Sequence, residues 1–128
     1  QEKIWLNSGG FLIIQQTEAF VAIDVNTGKH SSKKDAEENY KLINREAALE
    51  IARQLRLRNL SGMILVDFIN MKNTNDQSEL LQYMGSLVRS DPMQTVVVDV
   101  TALGIMEITR KKSAKTLAEQ LLQLKKGE

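Results

Sequence analysis

The chain has 128 residues, 42% hydrophobic and 26% charged, a length and balance suited to one domain with a modest core. With no cysteine and a single histidine, disulfides, thiolate metal sites and multi-histidine sites are excluded, so any metal must be a hard, oxygen-bound one. A formal net charge of +1 is too small for the overall field to hold a polyanion, and a nucleic acid would need a local basic patch or a neighbouring domain.

No apolar run approaches the length that spans a bilayer, and Gln1-Glu2-Lys3-Ile4 lacks the layout of a signal peptide, which predicts a cytoplasmic chain with no membrane segment. Lys3-Ile4-Trp5-Leu6 and Phe11-Leu12-Ile13-Ile14 are short apolar stretches separated by Asn7-Ser8-Gly9-Gly10, a hairpin signal. Trp5 is read as a packing residue, in the core or at an interface, rather than as a platform for a base. Ala19-Phe-Val-Ala-Ile-Asp24-Val-Asn26-Thr-Gly28 then carries a third strand whose apolar run ends on an acid, and from Thr27 to Lys34 the chain is a polar loop. In that stretch Lys29, Lys33 and Lys34 either contact phosphate or belong to a solvated loop, and His30 is read as an exposed loop histidine.

Asp35-x-x-Glu38 has the form of a capping box, and Tyr40, Ile43, Ala47, Ile51 and Leu55 recur at helical spacing, with Asn44 and Glu46 near that stripe. Arg53, Arg56 and Arg58 give the helix a basic end. It stops at Asn59-Leu-Ser-Gly62. Met63-Ile-Leu-Val-Asp67 repeats the design of the Asp24 segment. Strand, long helix, strand implies a parallel pair, so Asp24 and Asp67 should emerge side by side at the carboxyl edge of one sheet.

A second helix is predicted from Asp76-x-x-Glu79 and from Leu80, Met84 and Leu87, ending before Pro92. Thr95 to Val100 reads as a buried strand, Gly104 to Thr109 as a further short element, and Leu117, Leu121 and Leu124 as one side of a last helix. The expected fold class is α/β, a mixed sheet with flanking helices built from an N-terminal hairpin and βαβ units.

Two carboxylates converging at a sheet edge could hold Mg2+ or Mn2+, which favours carboxylate and water oxygens and keeps positions open for phosphate. Asn26 shares the face of Asp24, because strand side chains alternate, and its amide could donate to a phosphate oxygen. Acids at strand ends also cap turns, so the purely structural reading stands beside the metal one.

The wording of the segments goes further than their spacing. Ala22-Ile-Asp-Val-Asn-Thr-Gly28, Glu50-Ile-Ala-Arg-Gln-Leu-Arg-Leu-Arg-Asn-Leu-Ser-Gly62 and Val66-Asp-Phe-Ile-Asn-Met71 resemble the ribonuclease E/G family of bacterial endoribonucleases in order and spacing. Trp5-Leu-x-Ser-Gly-Gly10 and Leu103-Gly-x-x-Glu-x-Thr-Arg-Lys-Lys112 extend the resemblance over about residues 4 to 112. It implies that residues 1–128 form the deoxyribonuclease-I-like catalytic subdomain of a larger protein, without the family's ribonuclease-H-like segment, oligonucleotide-binding fold or 5′-monophosphate pocket.

By that resemblance Asp24 and Asp67 hold a catalytic Mg2+ and Asn26 orients the scissile phosphate of single-stranded RNA. Asn26, Lys29, Arg110 and Lys112 are the expected RNA contacts. The implied product carries a 5′ phosphate, and the implied full-length protein is a homo-oligomer. Asn70 stands where the family usually has an acid, and Asp99 has no acidic counterpart there. The family's Cys-x-x-Cys zinc link is absent from these residues, so zinc is not expected. The resemblance predicts an enzyme whose isolated piece cleaves RNA poorly, the alternative being a noncatalytic module for RNA scaffolding or subunit contact.

Overall fold

A computed structural model describes residues 2–28 and 33–111, the side chains of residues 33 and 34 excepted. The strands are β1 (Glu2–Trp5), β2 (Gly10–Gln16), β3 (Val21–Thr27), β4 (Gly62–Asp67), β5 (Gln94–Val100) and β6 (Met106–Lys111), with helices α1 (Lys33–Leu57) and α2 (Thr74–Arg89) between β3, β4 and β5. They form one six-stranded sheet in the order β1-β2-β3-β4-β6-β5. Only β3 and β4 pair in parallel, as a strand-helix-strand connection requires, and the other pairs are antiparallel. The expected mixed α/β sheet is therefore present. The second strand-helix-strand unit differs in one respect, because β6 lies between β4 and β5.

Alternation along the strands decides where the helices sit. Leu12 and Ile14 of β2, Val21, Ile23 and Val25 of β3, Ile64 and Val66 of β4, and Met106 and Ile108 of β6 are buried. They form one core with Ile43, Ala47, Ile51 and Leu55 of α1 and Met84 and Val88 of α2. Both helices thus cover the same face of the sheet. Gly10 permits this closeness on β2, since a β-carbon there would stand 2.6 Å from Ile43 Cγ2 and 2.9 Å from the Asn26 carbonyl oxygen.

Helix ends follow local chemistry. Asn59 adopts a left-handed φ of 50°, the Leu60 N–H donates back to the Leu55 carbonyl at 3.0 Å, and buried Leu60 closes the end of α1. At the start of α2 the cap is Asn73, whose side chain accepts from the N–H groups of Asn75 and Asp76, so Asp76 lies in the first turn instead of capping it. Likewise α1 begins at Lys33, which puts Asp35 in its first turn.

One expectation about burial is overturned, and a second in its core half. The Thr95 to Val100 segment is an edge strand in which only Thr95 is fully buried, because α2 reaches one side of it and β6 pairs with one edge. Trp5 is 61% exposed, because β1 is the opposite edge strand and Trp5 points away from the helices. The expected last helix and the loop carrying Lys29 and His30 lie outside the described residues.

Candidate paired-carboxylate site

The face of the sheet opposite the helices carries the site. In the parallel register Val21 stands beside Ile64, Ile23 beside Val66 and Asp24 beside Asp67. Val21, Ile23, Ile64 and Val66 point into the core, and alternation sends Asp24 and Asp67 outward from adjacent strands on one face. In-register neighbours on paired strands sit about 5 Å apart at the backbone, so the two carboxylates share one small volume. Asp67 ends β4, whereas β3 runs three residues beyond Asp24 because β2 still pairs with it, through Val25 with Leu12, Asn26 with Phe11 and Thr27 with Gly10. The strand end expected at Asp24 is therefore a step in the rim, with β4 turning away just where β3 continues.

Asn26 lies on the same face, and its Nδ2 donates to Asp24 Oδ2 at 3.2 Å. The Asp67 carboxyl is pushed above its ordinary value of 3.8, first by burial and then by the charge of Asp24. Two acids in this relation repel each other, and a cation between them would relieve that repulsion.

The backbone beyond Asp67 is held from below by the helix. Asn44, fully buried in α1, donates from Nδ2 to the Ile69 carbonyl at 2.8 Å and accepts the Ile69 N–H on Oδ1 at 2.9 Å. Both polar ends of one side chain are thereby spent on a single residue two positions past Asp67. Gln77 Nε2 also donates to the Met71 carbonyl, and Glu37 accepts the Lys72 N–H at 3.3 Å. Asn44 looked from the sequence only like a polar residue beside the apolar stripe. A buried amide within a helical core row is the signal that finds it, since such a group must have partners. Next to Asp67 opens a groove of about 600 Å³, bounded by the 68–71 segment, the early part of α2 and the turn between β5 and β6, where Leu103 is 90% exposed.

Other nominated residues go elsewhere. Arg110 is 3% exposed, on the helix side of β6, where Nε donates to Asp91 Oδ2 at 2.8 Å and Nη1 donates to Asn59 Oδ1 and the Leu60 carbonyl, both at 3.0 Å. Its expected contact with RNA is corrected: the guanidinium is enclosed and its donors are engaged inside the protein. Burial pushes the Asp91 carboxyl up, but hydrogen bonds from Arg110, Thr95 and the Met93 N–H outweigh it and hold the group at about 2. Asn70 is exposed and lines the groove together with Asp67. Asp99 faces Glu107 across β5 and β6, beyond Leu65 on the same sheet face, and accepts the Val100 N–H at 2.7 Å. Lys29 and Lys112 lie outside the described residues. Among the described residues no three acidic or histidine side chains cluster for a metal, so the pair Asp24 and Asp67 is the whole acidic donor set at this rim.

Fold and rim together define an α/β protein with a paired-carboxylate site on the sheet face opposite its two described helices. The chain belongs to the Ribonuclease E/G family, whose model matches residues 1–113. It is 43% identical over 117 residues to a ribonuclease E of Nostoc sp., covering 91% of this chain and 17% of that protein. It is 40% identical over 121 residues to ribonuclease G of Escherichia coli, covering 94% of this chain and 25% of that protein. Ribonuclease G of Haemophilus influenzae is 41% identical over 120 residues, with 94% and 24% covered. The chain thus spans a quarter or less of the length of these relatives.

Proposed function

We propose that this chain is the acid-bearing catalytic part of an endoribonuclease that hydrolyses single-stranded RNA and leaves 5′ phosphates. The observation that carries the reading is the registered juxtaposition of Asp24 and Asp67 on the sheet face opposite the described helices. Family membership supports the RNA substrate, since the relatives are named ribonucleases.

Asp24 and Asp67 would hold Mg2+, with Mn2+ as a substitute. The donor set fits: two adjacent carboxylates, one with its proton affinity raised by burial and by the other's charge, leave the remaining coordination positions to water and phosphate, as Mg2+ favours. When bound, the ion supplies an activated water and neutralises charge on the phosphodiester. The chain's own residues do the rest. Asn26, tethered to Asp24 through one amide hydrogen, would offer the other to a phosphate oxygen, which a carboxylate at that place would repel. Asn44 fixes the backbone after Asp67 and so holds that carboxylate in place relative to Asp24.

The longer protein is a cytoplasmic homo-oligomer in this reading, and it adds RNA grip to the little that a chain of net charge +1 supplies by its overall charge. No helix among the described residues is long and apolar enough to cross a membrane. The test is cleavage of a short 5′-monophosphorylated RNA with Mg2+. The longer protein should cut it and lose cutting by at least about a hundredfold on Asp24→Asn or Asp67→Asn with folding retained, a loss typical of disabling a catalytic electrostatic group. The 128-residue chain should cut slowly. Unaltered cleavage by both variants would leave the acids a structural role and favour the scaffold reading.

A further inference from the structure

From the pairing of β1, β2 and β3 we infer that Trp5 and Phe11, with Lys3 between their rings, form a stacking subsite for a base of single-stranded RNA beside the acid pair. The inference deepens the nuclease reading and rests on it. Its basis is the register of the sheet face opposite the described helices. Asn26 is directly opposite Phe11, and Phe11 is opposite Trp5, so the three side chains stand in one row across β3, β2 and β1. The next row holds Asp67, Asp24, Ile13 and Lys3. Strand spacing sets Trp5 about 10 Å from Asn26, within reach of a nucleotide flanking a phosphate held at the acids.

The row has the chemistry of a single-strand platform. Trp5 and Phe11 ring centroids are 5.0 Å apart with planes inclined at 55°, and the indole is 61% exposed. Lys3 Nζ lies 4.3 Å from the Trp5 ring and 4.1 Å from the Phe11 ring, so an ammonium is fixed where a phosphate linking stacked bases would pass. Gly28 keeps the platform next to the site. A β-carbon there would meet Trp5 Cζ3 at 3.6 Å and the Gly9 carbonyl oxygen at 3.1 Å, so the bare backbone after Asn26 lies against the edge of the indole. A large exposed aromatic is costly to keep in water, and sheet-face aromatics beside a cation are a recurrent means of holding unpaired bases without reading their sequence.

Trp5 is the chain's single tryptophan, so its fluorescence reports the subsite directly. Short oligoadenylate is titrated into the 128-residue chain in metal-free buffer, where no hydrolysis is expected, with fluorescence quenching and anisotropy of a labelled oligonucleotide as readouts. Quenching that follows binding is expected. Trp5→Ala should weaken binding about tenfold, Trp5→Phe should recover much of that loss, and Lys3→Gln should flatten the salt dependence. Binding without quenching, or a Trp5→Ala variant of unchanged affinity, overturns the subsite. So does a change of oligomeric state on Trp5→Ala with RNA affinity unaltered, which would make the patch a contact between protein copies. A parallel Mg2+ titration separates the two readings. Mg2+ binding that needs Asp67, with no quenching, removes the platform and leaves the nuclease, whereas quenching without Mg2+ binding does the reverse.

Discussion

Arg110→Met should destabilise the protein severely while leaving RNA affinity unchanged. The guanidinium is enclosed and donates to Asp91, Asn59 and the Leu60 carbonyl, joining β6 to the segment before β5 and to the end of α1. Methionine matches much of the aliphatic stem but removes those donors, and Asp91 keeps only Thr95 Oγ1 and the Met93 N–H as partners. Breaking a buried pair by deleting one member costs about 3–5 kcal/mol, because the remaining charge stays buried. That is a large part of the roughly 5–15 kcal/mol that holds an ordinary domain. Urea unfolding followed by circular dichroism, with the double variant Arg110→Met/Asp91→Asn completing the cycle, measures it. The double variant should recover stability relative to Arg110→Met alone, and Arg110→Lys should recover little, since one ammonium cannot reach all three partners. Stability within about 0.5 kcal/mol of wild type, the usual range for surface changes, together with weakened RNA binding would refute the reasoning.

Asn44→Ala leaves both polar groups of Ile69 without a partner and should cost about 2–4 kcal/mol in chemical denaturation, with weakened Mg2+ binding as the sign that Asp67 has lost its support. Gly10→Ala should destabilise by about 1–3 kcal/mol, because its β-carbon meets both Ile43 and the Asn26 carbonyl oxygen; an unchanged melting midpoint would contradict that packing. Acid titration should expose Asp91. Its folded-state value of about 2, against the ordinary 3.8, gives about 2 kcal/mol of stability that is present above pH 4 and is lost as pH falls towards 2, a dependence that Asp91→Asn should flatten. Asp67 has the opposite sign. Its raised value penalises the folded state once the group is ionised, so Asp67→Asn should raise the melting midpoint in metal-free buffer at neutral pH.

The acid pair was legible because two apolar runs each carry an aspartate at matching depth and one long helix separates them, which constrains both direction and face. Asn26 followed from period-two alternation alone. Arg110 was not legible, since its partner Asp91 belongs to the turn after α2 and only the pairing of β5 with β6 brings the two together. The core half of the Trp5 expectation failed because a lone tryptophan in an apolar stretch reads as packed unless its strand is known to be an edge and the residue to face away from the helices. The start of α2 was displaced because Asn73 and Asp76 are both good capping residues three positions apart, and the side chain that captures two N–H groups wins. Burial of the Thr95 to Val100 strand was overestimated for a related reason: β-branched runs mark strands without saying whether both faces are covered.

The central claim is that Asp24 and Asp67 hold one divalent ion between them. Titration calorimetry with Mn2+ on the wild-type chain, Asp24→Asn and Asp67→Asn tests it most directly. One ion per chain is expected for wild type, with binding lost in either variant and a metal-induced rise in melting midpoint seen only in wild type. An ion bound with unchanged affinity after either substitution would contradict the account.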